Sequence, residues 1–276
     1  MAPPVTNCIF CGGSPVTKEH LWSAWMHPYL PKGGRKYDSL IVMEHLDHSE
    51  FKIKRRGGDI HDWQVKCVCE KRCNNGWMRT LENTAKPILL PLLKGDSVRL
   101  SPHDQEIIAA WASLKAVVAE YASSGHVTTT QAQRDKMMLE VLPPQTCWKV
   151  WIGNYDRKNW NGYNSSHPFL FLDGPENRNR LGEKVTTFNG QVSNQVVGKL
   201  FIQVMRTPVS RLIEKWRFDE RANDKLRVIW PVSPYSIVWP PPVMGDRDAD
   251  YVSSAYSIFL RDSTHRALAR HPRSVP

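Results

Sequence analysis

A chain of 276 residues can bury one large core or two modest ones, and its 41% hydrophobic and 23% charged content excludes wholesale disorder. The net charge of +10 is spread along the sequence rather than gathered in a tail, and it favours a polyanionic partner over a membrane surface. No apolar run approaches the ~18 residues of a membrane span, and the first residues lack the basic and apolar regions of a signal peptide, so a cytoplasmic protein is expected.

Cys8 and Cys11 come first, spaced C-x2-C, with Gly12 and Gly13 behind them. Glycines there let the backbone fold back beneath a metal held by both thiolates. Residues 15–18 lead into the acid–base pair Glu19-His20 and an apolar strip that Pro28 and Pro31 break. The segments LIVMEHL and FKIKRR, joined by DHSE, read as a hairpin. Lys52, Lys54, Arg55 and Arg56 form the densest basic cluster of the chain. Alternation with Phe51 and Ile53 suits a strand whose wet, cationic face meets phosphate, and it equally suits a solvated edge strand.

The segment DWQVKCVC reads as a short strand with Trp63, Val65 and Cys67 on one face. After Cys73 a helix is expected to open near Asn75, its N-cap, with Trp77, Leu81 and Ala85 on one side. Pro87 and Pro91 limit or kink it, and Gly95 marks a boundary. A second helix starts at the N-cap Ser101, with Pro102 and Asp104 in its first turn, and stops near Gly125. Its stripe of Ile108, Trp111, Leu114 or Lys115, and Val118 reads as core. A shorter helix covers TQAQRDKMMLEVL. The segments CWKVWIGNY, HPFLFLDG, EKVTTFNG, VVGKLFIQVMRT and KLRVIWPV are β-like, and residues 249–260 form a last helix.

Five of the six cysteines lie in two short pieces without export signals, a pattern of metal ligation rather than disulfides. Cys8 and Cys11 supply one pair of zinc ligands, and Cys69 and Cys73, spaced C-x3-C, supply the other. Cys67 is the alternative third ligand, because in an extended strand it faces the same way as Cys69. A zinc joining the two pieces gathers Glu19, His20 and Asn74. A carboxylate and a carboxamide oxygen suit a hard cation such as Mg²⁺ or Mn²⁺, and a neutral histidine beside them takes a proton from water. These are the parts of a phosphodiester hydrolase.

At CIFC, KEH and C-x3-CNNGWM the chain resembles the HNH (ββα-metal) endonuclease superfamily, in the branch with a four-cysteine zinc knuckle. The resemblance covers residues 5–95. It implies that Glu19 and Asn74 hold the catalytic divalent cation and that His20 is the general base. It also implies a zinc-stapled ββα module, taken as 1–95; the remaining 96–276 reads from its own segments as a mixed α+β domain that selects substrate or partner, so the fold class expected is α+β. Glu19 stands where the family often has Asp, and C-x3-C-N replaces C-x2-C-N. No asparagine lies between Asn7 and Asn74 to orient the base, so another group such as a backbone carbonyl would do so.

His45, His48 and His61 read as surface residues of the connecting stretch, with assistance at the site as the alternative for His61, and Cys147 reads as a small core residue. Trp148, Trp151 and Trp160, near Arg157 and Lys158, could stack bases but fit sheet packing better. The function expected is a metal-dependent DNA endonuclease, of the kind phage and phage-defence systems use, with structural Zn²⁺ and catalytic Mg²⁺ or Mn²⁺. The alternative is a zinc-knuckle nucleic-acid binder or adaptor without catalysis. A homo-oligomer is compatible with either.

Overall fold

The computed structural model describes residues 5–32, 36–44, 49–57, 59–122, 127–157, 159–169, 188–208 and 210–261; the side chains of 36–44, 49–57, 211, 215, 257, 260 and 261 lie outside that description. After the cysteine turn come β1 (Val16–His20), β2 (Lys36–Glu44), β3 (Ser49–Gly57) and β4 (Gln64–Cys69). β2 and β3 pair antiparallel as the expected hairpin, while β1 pairs antiparallel with β4. Trp63, Val65 and Cys67 are all buried, as the strand reading requires.

Directly after β4 the backbone enters a wide helical stretch, Glu70–Met78, interrupted at Gly76, and continues as α1 (Arg79–Lys94). The helical run therefore begins at Glu70, and Asn75 is inside it rather than its N-cap. The reason is the C-x3-C spacing: one helical turn after Cys69 brings Cys73 back beside it. Nor do the prolines stop α1. Pro87 is exposed and Pro91 lies four residues on, so the missing hydrogen bonds fall along one side, while Ala85, Leu89, Leu92 and Leu93 are buried on another. Gly95 ends the helix in a left-handed C-cap.

β5 (Val98–Leu100) precedes α2 (Pro102–Glu120), whose start is the expected one: Ser101 and Asp104 form a capping box. α2 is buried almost all round, which marks it as a central rod rather than an amphipathic surface helix. α3 (Gln131–Glu140) is capped the same way by Thr130 and Gln133. Next come β6 (Trp148–Tyr155), β7 (Asn164–Phe169), β8 (Gly190–Val197) and β9 (Leu200–Arg206). The segment expected as one strand around VVGKLF is instead two strands joined at Gly198 and Lys199. Gly198 has φ 57°, and a Cβ there would lie 2.5 Å from the Leu93 carbonyl oxygen, so both the turn and the close approach of α1 require glycine. Residues 183–187 of EKVTTFNG lie outside the described residues. The chain ends with α4 (Ser210–Lys215), α5 (Glu220–Asn223), β10 (Leu226–Trp230), β11 (Ile237–Trp239), β12 (Val243–Met244) and α6 (Asp246–Arg261).

The fold is mixed α+β. One sheet runs β10-β6-β9-β8-β7-β2-β3, with β12 also on β6; β5 pairs with β11 separately. Alternation along the strands splits the interior in two. Val150, Ile152, Leu200 and Ile202 face a core that also holds α1, α2 and the cysteine turn. Trp151, Phe201 and Met205 face a second core against α6. Trp148, Trp151 and Trp160 are all buried, so their rings pack the sheet. Among the described residues no helix is long and apolar enough to cross a membrane.

Candidate metal centre and adjoining cavity

Gly12, at φ 69°, reverses the chain so that its own N–H donates to the Cys8 carbonyl and the Cys8 N–H donates to Gly13. The β1–β4 register sets Val16 opposite Cys69, which delivers β4's last residue to that turn. The Sγ atoms of Cys8 and Cys73 are 3.5 Å apart, those of Cys11 and Cys69 3.3 Å, and all four lie within 4.8 Å of one another. Sulfurs at ~2.3 Å around a tetrahedral Zn²⁺ are about 3.8 Å apart, so the four thiols can hold a metal ion such as zinc. Burial would raise Cys8, but backbone donors at Cys11, Cys69 and Phe10 and the Cys73 thiol outweigh it and bring it down to about 7. Burial and the neighbouring thiols push Cys73 well up. A proton-free set of four sulfurs is thus favoured by a cation among them.

Cys67 is not in this group. It is fully buried, and burial pushes its thiol far above the ordinary value. The register shift between Thr17 and Lys18 passes it over, and its carbonyl instead accepts from Ile9 N–H. Cys147 is half-buried rather than core.

Beside the cluster, Glu19, His20 and Asn74 line one cavity of about 400 Å³, together with Asn75, Arg79, Glu82 and Lys115. Strand pairing puts His20 opposite Gln64, whose amide nitrogen Nε2 lies 2.6 Å from His20 Nε2. A glutamine side chain, rather than a backbone carbonyl, therefore meets the imidazole. Asn74 Nδ2 donates to the Lys18 carbonyl at 3.1 Å, which fixes the amide and leaves Oδ1 as its acceptor. Lys115 enters from α2: its Nζ donates to Glu19 Oε1 at 2.7 Å and to the His20 carbonyl at 3.0 Å, and lies 3.5 Å from Glu82 Oε2. Trp25 and Trp111 donate their indole N–H groups to the two oxygens of Glu82 at 2.6 and 2.9 Å. Burial opposes the charge on Glu82, but Lys115 and these donors hold its carboxyl below the usual range. Burial opposes the Lys115 charge as well, and Glu82 and Glu19 raise it overall.

Glu82, Lys115 and Gln64 were not singled out from the sequence. The signal for Lys115 was a charge inside the most apolar helix of the chain, where an unpaired ammonium would be costly. For the imidazole partner, the sequence pattern of the family points to asparagine, whereas Gln64 carries the same carboxamide on a longer side chain. Glu19 Oε2 and Asn74 Oδ1 accept no hydrogen bond among the described residues, and such oxygens fit a hard cation of the Mg²⁺ or Mn²⁺ kind.

The basic cluster Lys52, Lys54, Arg55 and Arg56 is on β3, the last strand in the sheet order, but its side chains lie outside what the structure describes. His45, His48 and Lys158 are outside the described residues. His61 is stacked on His27 at 4.6 Å and does not line the cavity. A larger cavity of about 1000 Å³, against Lys149, Arg217 and Arg227, contains none of the residues expected to act. In comparisons with protein families, curated proteins and solved structures, no family model, protein or structure matches this chain.

Proposed function

We propose that this protein is a metal-dependent endonuclease of the HNH (ββα-metal) kind that hydrolyses DNA phosphodiester bonds. The observation that carries the reading is the cavity shared by Glu19, His20 and Asn74 beside a four-thiol cluster, in the order strand, strand, helix. Zinc at Cys8, Cys11, Cys69 and Cys73 staples the two pieces of chain, and Glu19 and Asn74 hold the catalytic cation. With the Gln64 amide flipped, so that its oxygen rather than its nitrogen meets His20 Nε2 and accepts the ring N–H, the other ring nitrogen takes a proton from water. The water oxygen bonds to phosphorus, the bond to the leaving strand end breaks, and that oxygen takes its proton from solvent. A bound Mg²⁺ or Mn²⁺ would stabilise charge on the phosphoryl oxygens. In this reading residues 1–95 carry the chemistry, residues 96–276 select the substrate, and the basic surface attracts DNA in the cytoplasm.

Cleavage of supercoiled plasmid with Mg²⁺ or Mn²⁺, beside His20→Ala and an EDTA blank, tests this. Metal-dependent nicking is expected, with a loss of about a hundredfold or more in the variant; equal cutting by the variant removes His20 from the mechanism. One observation favours a second reading, a nucleic-acid binder without catalysis: an ammonium already rests on Glu19 Oε1. Absence of any divalent cation bound at Glu19 would select the binder.

A further inference from the structure

α2 carries a lysine in its buried middle, among Trp111, Leu114 and Val118, and that lysine is 1% exposed. Three oxygens surround its Nζ within 3.5 Å: Glu19 Oε1, the His20 carbonyl and Glu82 Oε2. Two carboxylates and a backbone carbonyl converging on one point offer the same donors as one half of a hard cation's octahedral shell, here filled by an ammonium. The shell is rigid, because the Glu82 oxygens are also held by Trp25 and Trp111. It is built jointly by β1, α1 and α2. The charges of Glu19, Glu82 and Lys115 leave one net negative unit, which faces the cavity through Glu19.

We propose that Lys115 is the resident cation of this site, standing between Glu19 and Glu82 where a divalent ion would otherwise be bound. The inference rests on reading the cavity as a hydrolytic site only for its consequence: the centre takes one exchangeable divalent ion, on the open oxygen of Glu19, and not two. Lys115 is then a positioning residue. It fixes one oxygen of the acid and the backbone of the base, so that the second Glu19 oxygen is presented to the cavity. A tethered charge that cannot dissociate does this at any metal concentration.

The experiment counts Mn²⁺ bound to the full, zinc-loaded chain by electron paramagnetic resonance, in wild type, Lys115→Met and Lys115→Met/Glu82→Gln. Lys115→Met keeps most of the buried stem but stops one atom short of Nζ, which vacates the shell, and is expected to bind one Mn²⁺ more than wild type. The double variant removes one charge of each sign and is expected to lose that extra ion. Should Lys115→Met fold only with help, Mn²⁺ should raise its melting temperature by more than it raises that of wild type or of the double variant. An unchanged Mn²⁺ count and melting temperature in Lys115→Met overturn the proposal, and so does an extra ion that persists in the double variant. The wild-type count separates the two readings: one Mn²⁺ agrees with a hydrolase, whereas none there and one in Lys115→Met keeps Lys115 as resident cation and removes the hydrolase.

Discussion

Cys67 and Cys73 are equally buried, but only Cys73 turns its sulfur to the other three thiols. Spacing alone left both Cys67 and Cys69 open as third ligand, because alternate residues of an extended strand share a face. The shifted register between β1 and β4 separates them: Cys69 ends the strand against Val16, and Cys67 is opposite the shift and sinks into the core. Cys73→Ser should therefore abolish stoichiometric zinc binding. Cys67→Ala should keep zinc at the wild-type level and cost about 1 kcal/mol in urea unfolding, the scale of a small core truncation. Metal analysis of the purified variants checks both, and zinc loss in Cys67→Ala would return that residue to the ligand set.

Two short helical turns, Ala24–Tyr29 and Ile60–Asp62, meet through one pair of rings: His27 and His61 stack at 4.6 Å, 8° from parallel. The Nε2 atoms of both are buried and find no hydrogen-bond partner among the described residues. Burial, and then the charge of His61, hold His27 below its ordinary value of 6.5. The unfolded chain therefore takes up this proton first as pH falls below 6.5, so stability is lost from there down to the folded value. His27→Gln should flatten that acid slope, seen as a smaller fall in urea midpoint between about pH 7.5 and about pH 5. An undiminished slope would place the sensitivity elsewhere. What was legible in the sequence at this scale follows local chemistry. The capping boxes at Ser101 and Thr130, the hairpin of β2 and β3 and the apolar strand at Trp148 all carry their signal within a few residues. Only the last two residues of β8 were read as strand because it runs GQVSNQVV: its polar side chains are buried in pairs such as Gln191 with Ser193 and Gln195 with Asn164. Periodicity of apolar residues cannot report a strand whose interior is hydrogen-bonded. The same limit hid half of the cavity, since Lys115 and Glu82 are functional candidates only through each other.

On the scale of the molecule, the cysteine turn is bound to the second half of the chain rather than hung from it. Arg134 Nε donates to the Ile9 carbonyl at 2.7 Å and Gln131 to Phe10 at 3.2 Å, both from α3, and Phe10 meets Trp77 edge-on at 5.1 Å. Lys115 of α2 reaches Glu19 and His20 of β1, and Lys199 N–H of the β8–β9 turn donates to the end of α1. One continuous apolar core runs from Cys8 to Trp239 through α1, α2 and the sheet. Removing zinc should therefore leave four sulfurs that must take up protons beneath this core, and should destabilise much more than the knuckle, because metal binding energy in such sites is folding energy. Chelation by EDTA or phenanthroline is expected to lower the melting temperature by about 10 °C or more. Calorimetry should show one transition that moves as a whole and returns on adding Zn²⁺. Two transitions, of which only the lower responds to zinc, would mean that the N-terminal part folds by itself and that the α3 contacts to Ile9 and Phe10 contribute little.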